Sequence, residues 1–155
     1  MKGIRVNSFD YLLKYLEYLM DKYNVGFFSL GAELFLPSKK LYREFLEEIK
    51  KRKLDFLYFI TGARVNTVDK EILQGLKETG CWMIEYGFES GSQKMLDIME
   101  KGVTVEQNVQ AVKWTMEAGL YTVPGIIIGM PGEAPSTVKE SIDALKSLNL
   151  NWHQT

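Results

Sequence analysis

Apolar residues recur along this chain in two alternating rhythms, one helical and one extended. Leu12, Leu13, Leu16, Leu19 and Met20 lie at helical spacing on one face, and Ser8 stands where an N-cap is needed. The pattern predicts a helix over residues 9–22. The apolar run at 25–30 follows and reads as a strand of the kind buried on both faces. Ser38 opens the next helix, in which Leu41, Phe45 and Ile49 recur every four residues with Leu46 beside them. The basic run at 50–53 closes it, setting positive charge at the negative end of the helix dipole.

The alternation continues to the end of the chain. Residues 55–61 form the second predicted strand. Thr67 or Asn66 caps a helix containing Ile72, Leu73 and Leu76, and Gly80 supplies its left-handed stop. A third strand is expected at 82–86. A short helix at 93–99 and a longer one at 105–118 come next. The longer one opens with the capping-box pair Thr104 and Gln107 and stops at Gly119. A fourth strand at 121–128, a helix at 136–148 and the start of a fifth strand at 150–155 complete the reading.

Strand starts recur at intervals suited to strand-helix-strand units of about 30 residues or more, which make right-handed parallel crossovers. The fold class is therefore α/β, with a parallel sheet of about five strands. A doubly wound sheet would carry helices on both faces; a (β/α) barrel, or an arc of one, would carry them outside only. There is no domain boundary inside the chain. Its abrupt ends lead us to expect a single partial core over 1–155, truncated at both ends.

Composition narrows the function. The 155 residues are the length of one domain, and 46% hydrophobic with 25% charged content is the balance of a globular protein. Nineteen basic and twenty acidic side chains give a net charge of -1. No global field then favours nucleic acid or an anionic membrane. The most apolar window, at 120–130, is far shorter than the roughly 20 residues of a spanning helix. The expected compartment is the cytoplasm, where the single cysteine, Cys81, stays reduced. One cysteine excludes both a disulfide framework and a cysteine-built metal site within one copy of the chain.

In parallel α/β sheets the chemistry sits at the carboxyl ends of the strands. Those ends carry Gly31-Ala32-Glu33, then Gly62-Ala63-Arg64 with Asn66, then Gly87-Phe88-Glu89-Ser90-Gly91-Ser92, then Gly125 through Glu133. Glutamates and an arginine on one glycine-rich rim suit a zwitterionic or polyhydroxylated small molecule. The Gly129–Gly132 loop matches no phosphate-binding fingerprint, and Glu133 would repel phosphate. Cys81 starts its strand, at the end opposite the rim, and reads as a small buried residue. His153 is the only histidine, so no Ser/His/Asp set can be assembled. Trp82, Trp114 and Trp152 read as core or interface residues.

Three of these runs, Ala63-Arg64-Val65-Asn66-Thr67-Val68, Gly87-Phe88-Glu89-Ser90-Gly91-Ser92 and Gly129-Met130-Pro131-Gly132-Glu133, together resemble the radical S-adenosylmethionine superfamily. The similarity is to the branch in which a cobalamin-binding domain often precedes the radical domain, and the segment at 102–120 shares it. The resemblance implies a partial (β/α) barrel with a curved parallel sheet and helices on the outer face. It also implies S-adenosylmethionine bound across the strand ends and cleaved reductively to a 5′-deoxyadenosyl radical. On the matching positions, Gly31-Ala32-Glu33 would meet the methionine amino group, although Ala32 departs from the family's glycine. Glu89 and Ser90 would lie near the ribose and methionine portions. Gly125, Ile127 and Gly129 would form the edge that packs on adenine. Arg64 would face the methionine carboxylate or the substrate.

The defining CxxxCxxC motif of that family, whose thiolates hold a 4Fe-4S cluster, is not present. The expectation is a core segment of a radical enzyme, inactive alone, with no metal site of its own and no assigned catalytic residue. S-adenosylmethionine and the cluster would belong to the parent protein, with cobalamin held by a separate domain. The expected partner is a small-molecule substrate, with neither nucleic acid nor membrane indicated. Self-association is expected through the open barrel face, around Phe28, Phe59 and Ile84 or their strand neighbours. A cluster-less nucleoside-binding module, and a barrel-type lyase or scaffold with unrelated chemistry, are the alternatives.

Overall fold

The computed structural model describes residues 7–32 and 34–150. Four strands, β1 (Phe27–Gly31), β2 (Leu57–Ala63), β3 (Cys81–Glu89) and β4 (Tyr121–Ile126), form one parallel sheet in the order of the chain. Helices α1 (Phe9–Tyr23), α2 (Lys39–Arg52), α3 (Lys70–Glu78), α4 (Gln93–Ile98), α5 (Val105–Glu117) and α6 (Pro135–Lys146) flank and connect them. The strand order never reverses among the described residues, so right-handed crossovers place the helices on one face. The architecture is an arc of a barrel rather than a doubly wound sheet. Of the strand expected at 150–155, Leu150 lies in no strand, and residues 151–155, with Trp152 and His153, fall outside the described residues.

The two faces of the sheet differ sharply in burial. Along β3, Ile84, Tyr86 and Phe88 are wholly buried, while Glu85, Gly87 and Glu89 between them are partly open. In β2, Tyr58 and Ile60 are buried and Leu57 is exposed. The covered face packs against Leu13 and Leu16 of α1, Phe45 and Ile49 of α2, Ile72 and Leu76 of α3, and Val112 of α5 in one cluster. Its polar groups are paired. Tyr58 Oη lies 2.8 Å from Thr79 Oγ1, and Tyr86 Oη lies 2.9 Å from Thr115 Oγ1.

The open face carries an aromatic row with one ring from each strand. Ring centroids are 5.7 Å apart for Phe27 and Phe59, 6.2 Å for Phe59 and Trp82, and 5.8 Å for Trp82 and Tyr121. Of the residues expected here, Phe59 lies on this face, as do strand neighbours of the other two, Phe27 and Glu85, whereas Phe28 and Ile84 themselves belong to the other one. Phe28 stacks edge-on to Phe56 at 5.6 Å, and Ile84 is wholly buried. Side chains alternate across a strand, so an offset of one residue reverses the face. Trp114 packs partly buried against the core.

Two local expectations also change. β1 begins at Phe27 rather than residue 25, because Asn24 turns left-handed (φ 52) to cap α1 and returns its N–H to Met20 O. As an edge strand it alternates in burial instead of being covered on both faces. The cap of α3 is Asp69, whose Oδ1 accepts from Ile72 N at 3.0 Å, and neither Thr67 nor Asn66. Val65–Thr67 forms a 3-10 turn in which the Thr67 hydroxyl is already donated to Arg64 O. Elsewhere the caps stand where expected: Ser8 for α1, Ser38 for α2, and the complete Thr104–Gln107 capping box for α5.

Candidate functional site at the carboxyl rim of β3 and β4

β3 and β4 pair in register to Gly87 opposite Gly125, and then β3 gains one residue, so that Glu89 stands opposite Ile126. That extra residue is a bulge, a device that re-aims a side chain at a strand end. Glu89 sits at φ 61, in the left-handed region that non-glycine residues avoid. Ser90 N–H donates to Phe88 O at 2.8 Å, closing a three-residue turn centred on Glu89. Ile127 N–H donates to Glu89 O at 3.0 Å and ties the turn to the β4 side.

The turn folds the Glu89 carboxylate back over Gly87. A Cβ at Gly87 would lie 2.5 Å from Glu89 Oε1 and 2.9 Å from Lys101 Nζ. Glycine therefore opens the space in which Lys101 Nζ donates to Glu89 Oε1 at 2.5 Å. Gly87 is on the open face, so this ion pair lies above that face at the rim. Both side chains keep some contact with solvent, 17% exposure for Glu89 and 24% for Lys101. The pair is thus accessible to a ligand while partly shielded from screening.

Arg64, just after β2, donates from Nη2 to the Lys101 backbone carbonyl at 2.6 Å. Its Nε is buried with no partner among the described residues. Arg64 and Glu89, from neighbouring strands, thus converge on Lys101. Sequence reasoning passed over this lysine because it lies in the α4–α5 connection, away from any strand end. The signal available was a basic residue beside Gly102, at a chain reversal where Glu100 and Gly102 both adopt positive φ (51 and 66).

The remaining candidates divide. Gly125 lies beside Gly87, and Ile127 and Gly129 (φ 92) continue that edge, with Gly129 N–H donated to Glu133 Oε2 at 2.9 Å. Ser90 is buried and turned toward α6, its Oγ 3.0 Å from Ser141 Oγ. Gly91 N–H donates to the same hydroxyl at 2.9 Å, and a Cβ on Gly91 would lie 2.6 Å from Ser141 Cα. The Ser90-Gly91-Ser92 turn therefore docks α6. Glu33 lies outside the described residues.

Iron-sulfur clusters are held by thiolates, and this chain does not supply them. Cys81 is buried at the amino end of β3, away from the rim, and donates its thiol toward Met83 O at 3.5 Å. Burial pushes its pKa up to about 12. No three His, Cys, Asp or Glu side chains gather into a metal site among the described residues. No helix among them is long and apolar enough to cross a membrane. The rim does fit S-adenosylmethionine: it offers a carboxylate, an ammonium, the buried and unpartnered Arg64 Nε, and a glycine edge.

Residues 1–145 match the Radical SAM superfamily, and the chain belongs to it. It is 29% identical over 153 residues to an uncharacterized methyltransferase of Pyrococcus horikoshii, covering 99% of this chain and 33% of that protein. It is 32% identical over 143 residues to the anaerobic magnesium-protoporphyrin IX monomethyl ester cyclase of Cereibacter sphaeroides, covering 90% of this chain and 23% of that one. The chain thus spans a third or less of the length of these two relatives.

Among solved structures, it superposes on the cobalamin-dependent S-adenosylmethionine radical enzyme OxsB with aqua-cobalamin bound. The TM-score is 0.77 at 23% identity, over 91% of this chain and 22% of that one. The radical S-adenosylmethionine methyltransferase TsrM of Kitasatospora setae, with cobalamin and a [4Fe-4S] cluster bound, gives a TM-score of 0.75 at 22% identity. That match covers 93% of this chain and 28% of the other. These likenesses show the partial-barrel fold.

Proposed function

We propose that this chain is the core segment of a radical S-adenosylmethionine enzyme, the arc of barrel on which S-adenosylmethionine lies. The whole protein would cleave it reductively to a 5′-deoxyadenosyl radical. The observation that carries the reading is Glu89, held in a disfavoured backbone conformation so that its carboxylate overhangs the open face beside Lys101. Strain of this kind persists where function and surrounding structure hold it.

The ligand chemistry follows from the charges. The methionine end of S-adenosylmethionine is a zwitterion, and the Glu89–Lys101 pair is an opposite pair of the same size. Glu89 would exchange Lys101 for the ligand's ammonium or ribose hydroxyls. Lys101, with Arg64 beside it, would take the carboxylate. Gly125 would let backbone approach the adenine, with Ile127 and Gly129 along the same edge. Ser90 would act behind this surface by holding α6.

The cluster thiolates would have to come from outside these residues, so the chain by itself is expected to be inert. A small-molecule substrate would share the open face. Cobalamin on a separate domain would be the second cofactor of the whole protein. A reduced lone thiol and reductive chemistry both suit the cytoplasm.

The test is anaerobic reconstitution of the whole protein with iron, sulfide and a strong reductant. Release of 5′-deoxyadenosine, together with weaker S-adenosylmethionine binding in Glu89→Ala, is the expected result. Failure of the reconstituted protein to bind S-adenosylmethionine in equilibrium dialysis would overturn the reading. So would 5′-deoxyadenosine from this chain alone, above a protein-free control, because it would require a metal site these residues do not form.

A further inference from the structure

We propose that Asn108 is a positioning residue: its buried amide fixes the left-handed turn at Glu89 and so sets where the Glu89 carboxylate points. Asn108 lies on the buried face of α5 and is wholly inaccessible to solvent. Its neighbours on that face are Ala111, Val112 and Thr115, so an apolar side chain would pack there without the cost of burying an amide. The amide is directed at one atom. Asn108 Nδ2 donates at 2.7 Å to Phe88 O, the carbonyl of the peptide that enters Glu89.

The same carbonyl accepts Ser90 N–H at 2.8 Å, the bond that closes the turn. The orientation of one peptide thereby serves both contacts. Rotating the Phe88–Glu89 peptide toward ordinary extended backbone would swing this oxygen away from both donors. It would also carry the Glu89 side chain off Gly87, where it meets Lys101. Left-handed backbone at a glutamate persists only when surrounding contacts enforce it. Asn108 supplies such a contact from a rigid helix, on the far side of the sheet from the ion pair. It touches no ligand in this arrangement and acts only through Glu89.

The consequence for ligand affinity rests on the reading of Glu89 as an S-adenosylmethionine contact; the consequence for the turn does not. Two measurements on the whole protein separate them. In Asn108→Leu, amide hydrogen exchange at Ser90 and Ile127 should speed up by about ten-fold or more, while Ile60 and Ile84 stay protected. The dissociation constant for S-adenosylmethionine should rise about ten-fold in the native background and stay nearly unchanged when Glu89→Ala is already present. Asn108→Ala, which removes atoms and cannot clash, is the second variant should leucine prevent folding.

Unaltered exchange at Ser90 and Ile127 would overturn the proposal. Exchange that rises equally across the sheet would reduce Asn108 to a packing residue and overturn it too. Equal loss of affinity in both Glu89 backgrounds would show that Asn108 does not act through Glu89. Selective exchange at the turn, with affinity unmoved by either Asn108→Leu or Glu89→Ala, would uphold the positioning and overturn the ligand reading of Glu89.

Discussion

The two faces of the sheet are built from the same four strands and serve opposite ends. On the helix-covered face, Tyr58, Ile60, Ile84, Tyr86 and Phe88 lose all contact with solvent. On the open face, Phe27, Leu57 and Tyr121 keep about half of theirs (50%, 56% and 44%). Burial is the dominant source of folding free energy and scales with area removed from water. The covered face therefore holds the fold together, and the open face is spared for other contacts. The Glu89–Lys101 pair stands at the upper rim of the spared face, and the helix face behind it carries the Asn108 contact that holds it.

The sharpest way to break this comparison is to truncate side chains on the two faces separately. Ile84→Ala and Tyr86→Ala, on the covered face, should each cost about 3–5 kcal/mol of unfolding free energy. Phe59→Ala, on the open face beside them, should cost about 1 kcal/mol, because its ring is only partly buried. Urea midpoints measure both, and equal costs would erase the distinction.

Glycines sharpen it further. A Cβ on Gly91 would strike α6 backbone at Ser141 Cα, and Glu140 O lies 2.9 Å away. Backbone cannot step aside, so Gly91→Ala should cost about 1–3 kcal/mol of stability through overpacking. A Cβ on Gly87 would strike only the far ends of the Glu89 and Lys101 side chains, which can move. Gly87→Ala should leave the urea midpoint nearly in place and instead weaken S-adenosylmethionine binding. A large loss of stability in Gly87→Ala would mean that the ion pair belongs to the fold.

Glu89 itself is the next probe. Glu89→Ala should weaken S-adenosylmethionine binding by about 1–3 kcal/mol, the scale of a lost charge-assisted hydrogen bond. Glu89→Gly should weaken it as much while leaving the fold at least as stable, since glycine adopts the left-handed conformation without strain. Calorimetric binding and thermal melting on the same two variants read both effects. A glycine variant less stable than the alanine variant would argue that the turn is not strained at all.

The legible parts of this molecule are the local ones. Ser8, Ser38 and the Thr104–Gln107 box reach backbone amides three residues away, and the sequence pattern located all three. Parallel α/β order followed from spacing, and Glu89 and Arg64 stood out because they follow strand-end glycines. What escaped is set by tertiary contact. Lys101 reaches Glu89 only because α4 returns the chain to the rim. Ser90 turns away because Ser141, fifty-one residues later, docks on it. The pattern left open whether Phe28 and Ile84 or their strand neighbours face the barrel interior, because one residue of offset exchanges the two faces, and the neighbours are the ones that do.

The smallest expected effect lies on neither face, and serves as a control. Asp69 caps α3 through Ile72 N–H at 3.0 Å and pairs with Lys39 at 3.2 Å and Arg43 at 3.1 Å. Partial burial pushes its carboxyl upward, but the Ile72 amide and the cations Lys39 and Arg43 outweigh it, so the pKa falls below the ordinary value. A carboxyl lowered in the folded state stabilises the fold above its unfolded pKa and loses that contribution as pH falls through the folded one. Asp69→Ala should therefore cost about 1 kcal/mol near neutral pH, the usual worth of an N-cap, with exposed ion pairs adding little. The gap between Asp69→Ala and the native protein should narrow as the pH is taken below the carboxylate range, where the native side chain is itself protonated. Urea midpoints at both pH values check this, and a gap independent of pH would assign the cap to shape rather than charge. S-adenosylmethionine affinity should be the same in both proteins, because the partners of Asp69 are Ile72, Lys39 and Arg43 and not Arg64, Glu89 or Lys101.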